Sequence, residues 1–554
     1  VPDLINQLRE NPESNSQYKT ITFKQKNVHD FAWFASKQFL VEKSTATLPS
    51  NKKIDCWSFF APKDQSIYDS SSRITAKTIE YLSAHVGEYP YQQASIVAGH
   101  LLAGGGMEYP NVTVIGNVAS RSILQTVIVH EVGHNWFYGL LGSNERAHPW
   151  MDEGINTFYE GQIEQSIKDE KYNTSKKDRG FELGTYFLYD LAAKQNTDQP
   201  IDIAATQFTK TNYGGIVYGK AAKMFSYLNE YLGAAIFEKC MKTYYNEWQY
   251  KHPYPEDIRA IFEKASGQNL SWFFDDCIRS NKKIDFAIKK VSKDKEMVSV
   301  RIKNRTHFTG PTSVSAFTGD SLLQTQWISY PYDSNVTFDN TGKKISQIRI
   351  NHSKNLPEIN LHNNYYYSKG LFKKSALRIK PGTSIGLTKY RDLYLLPAAG
   401  YNVHDKTMLG IVFHNIKIPN NPFQFALAPM ISLGTKQLVG TGIIGYSFFP
   451  KKIKRLTLAI QGNTFHHQSS DLNISNPLFV RHIKIAPSLS IDFAQKNMRV
   501  PTADNLLLRY ILVKNQNFSY QLNPTDSLYR PLINNYVSQY YLNARFSHKN
   551  NRTL

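Results

Sequence analysis

The stretch that decides the fold is Ile123-Leu-Gln-Thr-Val-Ile-Val-His130-Glu131-Val-Gly-His134-Asn-Trp-Phe-Tyr-Gly-Leu-Leu141. Its apolar residues on both sides of the histidines are typical of a buried helix. Residues four apart on a helix lie on one face, so His130 and His134 can bind one Zn²⁺ while Glu131 leans toward a water on the metal. A histidine pair at this spacing can also be core filler, so the motif needs a third ligand.

A candidate third ligand is Glu153, nineteen residues after His134, in Trp150-Met-Asp-Glu-Gly-Ile-Asn-Thr-Phe-Tyr-Glu160. A single glutamate is more often a surface acid. Here a plausible second helix follows it, and its carboxylate would complete a His₂Glu set with the fourth position open for water, as catalytic zinc requires. The sequence therefore predicts one Zn²⁺ per chain held by His130, His134 and Glu153, with Glu131 as general base.

This spacing resembles that of the aminopeptidase N-like gluzincins, whose zinc signature is HExxH, eighteen residues and a glutamate. Upstream, the segment Gly105-Gly106-Met107-Glu108-Tyr109 resembles that family's Gly-Ala-Met-Glu-Asn strand, with glycine in place of alanine and tyrosine in place of asparagine. The resemblance implies that Glu108 binds the free α-amino group of the substrate. It also implies that the backbone of Gly105, Gly106 and Met107 pairs with the peptide.

Two tyrosines and one further acid complete the predicted site. Ile216-Val-Tyr218-Gly-Lys-Ala-Ala resembles the family's Tyr-x-Lys-Gly-Ala segment, whose tyrosine donates to the oxyanion, and Tyr213 matches a second active-site tyrosine of many members. Both could also be ordinary core or surface tyrosines. Glu160 is expected either to accept a hydrogen bond from a zinc-binding histidine ring or to be a solvated helix acid.

The resemblance implies a zinc-dependent aminopeptidase that hydrolyses N-terminal residues of peptides with a free N-terminus. Two alternatives remain at this point. One is a zinc endopeptidase built on the same site, and the other is a non-catalytic scaffold or binding protein of an outer membrane. Metal analysis combined with a turnover assay separates an enzyme from a scaffold, and cleavage of a peptide with a blocked α-amine would indicate an endopeptidase.

With 554 residues, the chain is too long for one core, and its patterns predict a multidomain α+β protein. Residues 1–45 are expected to end an N-terminal β-domain. Residues 46–285 are expected to form a thermolysin-like gluzincin catalytic domain, with the zinc site at 130–153 and a helical part over 166–285. A small β-sandwich over 286–362 and antiparallel β-structure over 363–554 follow.

The C-terminal part differs in charge and pattern. From Tyr365 onward the chain has 24 Lys and Arg against six Asp and no Glu, so most of the net charge of +20 lies there. His482-Ile-Lys-Ile-Ala-Pro-Ser-Leu-Ser-Ile-Asp-Phe493 alternates apolar and polar residues, as a membrane β-barrel strand or a soluble antiparallel strand does. Asp392-Leu-Tyr-Leu-Leu-Pro-Ala-Ala-Gly-Tyr-Asn402 resembles outer-membrane barrel segments of Bacteroidota-type proteins.

These features predict part of an outer-membrane barrel, and therefore a protein of the envelope of a Gram-negative-type bacterium, in the outer membrane or periplasm. No Arg-rich tract or aromatic-basic motif accompanies the positive charge, so nucleic acid is not an expected partner. The three cysteines lie far apart with no CxxC, which indicates neither a disulfide framework nor a thiolate metal site.

Overall fold

A computed structural model of the chain describes residues 22–101, 105–167, 180–329, 335–370, 373–386, 388–450, 453–470, 477–495 and 502–550. Residues 1–21, the first part of the predicted end of an N-terminal β-domain, lie outside these ranges.

The first sheet carries one edge of the site. Its strands are β1 (Leu40–Thr47), β2 (Lys53–Phe60), β3 (Gln93–Ala98), β4 (Gly106–Met107) and β5 (Val112–Ile115). They lie in the order β1-β2-β3-β5-β4, with β1 and β4 antiparallel to their neighbours and β2, β3 and β5 parallel. The predicted domain boundary at residue 45 thus falls inside β1, which pairs along its whole length with β2. Alternation in the sequence indicates a strand but not the sheet to which it belongs.

Nine α-helices lie in the described part of the catalytic region: α1 (Gln65–Tyr68), α2 (Ser71–His85), α3 (Arg121–His134), α4 (Ile155–Ser166), α5 (Gly180–Lys194), α6 (Lys210–Asn212), α7 (Ala221–Leu232), α8 (Ala234–Trp248) and α9 (Pro255–Ser266). Helix α3 begins where the Ser120 side chain accepts the backbone N–H of Ile123 at 3.3 Å. Its inner face buries Leu124, Ile128 and Val132 in the core. Four π-helical stretches adjoin these helices, at Asn135–Leu140, Trp150–Gly154, Tyr213–Lys220 and Trp272–Ile278.

Two small sheets follow the helices. Their strands are β6 (Phe286–Lys293), β7 (Met297–Asn304), β8 (Thr312–Thr318), β9 (Ser321–Ile328), β10 (Asn335–Asp339), β11 (Gln347–Ile350) and β12 (Tyr365–Tyr367). One sheet has the order β10-β7-β6 and the other β12-β11-β8-β9. Their buried side chains belong to the same apolar core as those of the helices. The hydroxyl of Tyr227, on α7, donates to the carbonyl of Pro311 at 2.7 Å.

The last sheet has nine strands in the order β13 to β20 and then β23, and β21 pairs with β22 as a separate hairpin. Its strands are β13 (Leu377–Pro381), β14 (Arg391–Asn402), β15 (Lys406–His414), β16 (Phe423–Ser432), β17 (Leu438–Phe448), β18 (Ile453–Ser469), β19 (Phe479–Phe493), β20 (Thr502–Asn515) and β23 (Val537–Asn550). The hairpin strands are β21 (Phe518–Leu522) and β22 (Tyr529–Ile533).

Within the described residues this sheet is open, because β13 and β23 form its two edges and do not pair with each other. All neighbours are antiparallel except β13 and β14, which are parallel. The predicted barrel is therefore not closed here, and a partial barrel stays a prediction. Among the helices that the structure describes, none combines the length and hydropathy needed to cross a membrane.

Candidate active site

Three metal-binding side chains converge between α3 and the π-helical turn before α4. Glu153 Oε2 lies 3.1 Å from His130 Nε2 and 3.3 Å from His134 Nε2, and the two Nε2 atoms are 3.1 Å apart. Ligands at about 2.0–2.1 Å from a tetrahedral zinc ion stand roughly 3.3 Å from one another. These residues could therefore hold one metal ion, and their donor chemistry fits zinc.

The second nitrogen of each histidine is bound to a carboxylate. His130 Nδ1 donates to Glu160 Oε2 at 2.9 Å, and His134 Nδ1 donates to Asp152 Oδ1 at 2.5 Å. Because each Nδ1 is bonded to a carboxylate, each Nε2 faces the point between the three donors, and a neutral ring presents its lone pair there. Glu160 is thus the partner of His130, which is one of the two roles expected for it. Asp152, the partner of His134, was not indicated by the sequence.

The buried carboxylates give this point a negative potential. Burial alone would lower the pKa of His130, but its hydrogen bonds to Glu153 and Glu160 raise it to about 10. Burial alone would raise the pKa of Glu153, but its hydrogen bonds to the two histidines hold it well below the usual range. A positive charge, either on a protonated imidazole or on a metal ion, therefore stabilises this cluster of buried carboxylates.

Glu131, the predicted general base, is buried on the same helix as the two histidines. It is only 7% exposed, and its Oε2 has no hydrogen-bond partner among the described residues. Burial raises the pKa of Glu131 to about 7, against the opposing effect of the two histidines. A Cβ at Gly106, on β4, would lie 2.3 Å from the Glu131 carboxyl carbon, so glycine allows this close approach of strand and base.

A second group of carboxylates lies beside the metal-binding residues. Oxygen atoms of Glu108, Glu145 and Asp152 lie within 4.8 Å of one another. Glu108 follows β4 directly, Glu145 lies in the segment between Leu141 and Trp150, and Asp152 is also the partner of His134. Three carboxylates this close attract a cation such as an ammonium group.

Tyr218 and Tyr213 lie in one π-helical stretch on the Glu153 side of the site. The Tyr218 hydroxyl donates to Glu153 Oε1 at 2.5 Å, and its ring stacks on His130 at 5.8 Å between centroids. The Tyr213 ring meets Tyr218 edge-on at 5.9 Å. Burial raises the pKa of Tyr213 to about 12 and that of Tyr218 further above its usual value, so both hydroxyls keep their protons.

Sequence reasoning missed three residues of this arrangement. Asp152 and Glu145 complete the carboxylate group, and the Asn156 amide donates to the His130 carbonyl at 2.7 Å, which joins α4 to α3. Asp152 is adjacent to Glu153, and in the π-helical turn that holds both residues the Asp152 carboxylate contacts His134 Nδ1 while the Glu153 carboxylate lies at His134 Nε2. Its position next to a ligand was the available signal, whereas Glu145 in a loop gave none.

The chain resembles known aminopeptidases in the part that carries this site. Residues 71–277 match the family described as Peptidase family M1 domain. The chain is 24% identical to Aminopeptidase M1 of Arabidopsis thaliana over 217 residues, which are 36% of this chain and 24% of that protein. It is 22% identical to the puromycin-sensitive aminopeptidase of Caenorhabditis elegans over 287 residues, 48% of this chain and 29% of that protein.

A yeast relative and a solved structure give similar results. The alanine/arginine aminopeptidase of Saccharomyces cerevisiae is 21% identical over 251 residues, 42% of this chain and 28% of that protein. The crystal structure of Legionella pneumophila aminopeptidase A in complex with aspartic acid aligns with a TM-score of 0.46 and 14% identity, over 58% of this chain and 38% of that one. The matched part of the chain thus spans between 24% and 29% of the length of these three curated relatives.

The family match covers α3, the Glu153 turn and the tyrosine stretch together, and its relatives are aminopeptidases by name. The prediction of a peptidase, and therefore of a hydrolase, is confirmed for this part of the chain. Residues 71–277 are a metallopeptidase domain similar to Peptidase family M1.

Proposed function

We propose that the chain is a zinc-dependent aminopeptidase that removes single residues from peptides with a free N-terminus. The observation that carries this proposal is the position of Asp152. Its carboxylate contacts His134 of the metal-binding group and also belongs to the cluster with Glu108 and Glu145. An ammonium group held by that cluster would therefore lie about one residue from the metal-binding point, so the first peptide bond is the one that reaches it.

The metal-binding residues, Glu131 and Tyr218 can each be assigned a role in peptide hydrolysis. His130, His134 and Glu153 would hold a zinc ion, which would supply the Lewis acidity needed to polarise a scissile carbonyl and to acidify a water molecule. Glu131, with a pKa of about 7, accepts the proton of the attacking water and passes it to the departing amine. The Tyr218 hydroxyl turns from Glu153 Oε1 to the developing oxyanion, and one such donor contributes about 3–4 kcal/mol.

Strand β4 aligns the substrate. Among the strands that the structure describes, it lies beside β5 only, at the edge of the first sheet, so its outer backbone groups would be available to pair with an extended peptide. Glu108 follows the strand and would bind the α-ammonium by a charge-assisted hydrogen bond. An endopeptidase does not need to bind an α-ammonium group, so it leaves the cluster of Glu108, Glu145 and Asp152 without a function. A non-catalytic scaffold likewise leaves the buried Glu131 without a function.

The experiment that tests the proposal compares two reporters with the same scissile bond. One is an aminoacyl-peptide with a free α-amine, and the other is its N-acetylated form. We expect hydrolysis of the first and a loss of at least 100-fold in kcat/KM for the second. Equal cleavage of both would show an endopeptidase, and cleavage of neither by zinc-loaded chain would refute a peptidase of this kind.

A matched pair of variants assigns the roles within the site. Glu131→Gln should retain zinc and lose turnover, because the amide cannot accept the proton. Glu108→Gln should retain zinc and raise KM for the free-amine reporter with little effect on the acetylated one. If Glu131→Gln hydrolysed the reporter at the parent rate, the assignment of the base would be wrong.

A further inference from the structure

The nine-stranded sheet has one face made of apolar side chains, which we call the apolar face. Residues that pair across antiparallel strands lie on the same face, and alternate residues along a strand lie on opposite faces. Along β19 the apolar face consists of Ile483, Ile485, Pro487, Leu489, Ile491 and Phe493. One row in register across six strands reads Phe423, Tyr446, Leu458, Leu489, Leu508 and Ala544. The next row reads Phe448, Leu456, Ile491, Leu506 and Phe546.

The opposite face is mostly polar or small. The row between the two apolar rows reads Ser447, Thr457, Ser490, Leu507 and Arg545. The row on the other side of Leu458 reads Gln424, Gly445, Ala459, Ser488, Arg509 and Asn543. A few apolar side chains, such as Ile443 and Ile511, also lie on this face. The sheet therefore reverses the pattern of a soluble sheet, whose apolar face is covered by a core.

The apolar side chains of this sheet are exposed to the surroundings. Leu458 is 48% exposed and Ile460 47%, although both lie in the middle of a long strand with neighbours on both sides. The described residues of the sheet form only a small buried cluster, around Met408, Met430 and Val439. These three side chains lie on the opposite face, as their register positions show.

The size and charge of the apolar face match a lipid bilayer. From Ile483 to Phe493 the face extends roughly 33 Å along the strand, or about 25 Å along the membrane normal for a strand tilted by about 40°, which is the height of the apolar band of membrane-spanning sheets. Charged side chains on this face occur only at the strand ends, with Arg481 and Lys514 at one end and Asp504 at the other. Seven neighbouring strands, β15 to β20 and β23, make it about 29 Å wide.

A protein partner is the weaker explanation for such a surface. Protein interfaces bury about 800 Å² on each side and include a polar rim and hydrogen bonds. Here the rows through Leu489 and Ile491 carry no charged or amide side chain across five or six strands, and the whole apolar face has an area of roughly 700–1,000 Å² (25–33 Å by about 29 Å). A hydrocarbon phase requires this uniformity because it offers no partner to a polar side chain.

One end of the apolar face carries five aromatic side chains and adjoins the catalytic region, while Phe413, Phe425, Tyr510 and Tyr540 lie further from that end. Phe423, Tyr446, Phe448, Phe493 and Phe546 lie in the last rows of that end. Close to them, Asn196, just after α5, donates to the carbonyl of Lys454 at 3.3 Å, near the start of β18. Aromatic side chains prefer the level of the lipid headgroups.

From these observations we infer that the apolar face lies against the hydrocarbon core of a lipid bilayer. The aromatic end lies at one membrane interface, and the catalytic region is held against that surface of the membrane. The inference is independent of the proposed peptidase reaction, since none of its residues belongs to the catalytic site. It explains the apolar surface, its height, its charged limits and its aromatic border together.

Site-directed spin labelling of the full chain in phospholipid vesicles tests the inference. The three native cysteines are buried, so a single added cysteine is the intended labelling site. Leu458→Cys and Ala459→Cys are neighbours on opposite faces. We expect the collision rate of the label at 458 to be at least fivefold higher with oxygen, which dissolves in lipid, than with a water-soluble nickel chelate. The label at 459 should not show this preference for oxygen.

A second pair of labels tests the orientation of the sheet in the membrane. Flotation of the unlabelled chain and a lipid-free sample serve as controls. Leu489→Cys should report a deeper position than Phe493→Cys, and the unlabelled chain should float with the vesicles in a density gradient. Preferred nickel access at 458, or a parent chain that does not float, would overturn the inference. So would spin–spin broadening at 458 in a lipid-free dimer, which would show a second copy as the partner of this face.

Discussion

Replacing Asp152 by asparagine is expected to weaken zinc binding about tenfold. The buried Asp152 carboxylate accepts from His134 Nδ1 at 2.5 Å and so orients and polarises a metal-binding ring. A hydrogen bond to a charged group contributes about 1.5–3 kcal/mol and a neutral one about 0.5–1.5 kcal/mol. The difference, roughly 1–1.5 kcal/mol, corresponds to about a 5- to 10-fold change in an equilibrium constant.

The assay is a competition titration of the metal-free chain against a fluorescent zinc chelator near neutral pH. Glu164→Gln is the matched control, because Glu164 lies one turn after Glu160 on α4 and accepts a hydrogen bond from the Thr126 hydroxyl. We expect unchanged zinc affinity in this control. Equal affinity of Asp152→Asn and the parent, within twofold, would refute the reasoning that this carboxylate supports the metal site.

Three further outcomes are expected. Tyr218→Phe should lower kcat by 10²–10³ with zinc content unchanged, and a rate within threefold of the parent would exclude the hydroxyl as the oxyanion donor. Gly154→Ala should destabilise the fold by about 1–3 kcal/mol in a denaturant titration, because its Cβ would lie 2.6 Å from that of Ala221. Gly161→Ala on α4, which follows Gly154 directly, should be neutral or slightly stabilising, because a Cβ there meets nothing within 4 Å. Burial raises the pKa of Glu358 to about 8, so its contribution to the free energy of unfolding should be largest below about pH 4.5 and be lost as the pH rises through 8. The slope of the free energy of unfolding against pH in this window should flatten in Glu358→Gln. An unchanged slope would contradict the raised pKa of Glu358.

The metal-binding residues could be predicted because their geometry is local. His130 and His134 lie one turn apart on a single helix, and Glu153 begins the next one, so chain spacing alone restricts where their side chains point. The structure brings these three together with the expected base and tyrosines. Asp152 was missed because a helical pattern of the ordinary period places adjacent residues in different directions, and the π-helical turn is not visible in the sequence.

Long-range arrangement was less predictable for the same reason. The alternation in β1 indicated a strand, but its pairing with β2 depends on contacts that no local pattern encodes. In the last sheet, alternation in single strands predicted one apolar side in each, while the register between strands shows that these sides form one face. Glu145 lies in a loop, where neither periodicity nor spacing restricts the side chain.

Zinc content per chain is the measurement that tests the central claim most directly. Elemental analysis of the purified chain, after exchange into buffer with limiting zinc, should give one zinc per chain for the parent and for Glu131→Gln. His134→Ala and Glu153→Ala should each give far less, with their folds verified by circular dichroism. Full zinc occupancy in folded His134→Ala and Glu153→Ala, or none in the parent, would contradict a metal site formed by His130, His134 and Glu153.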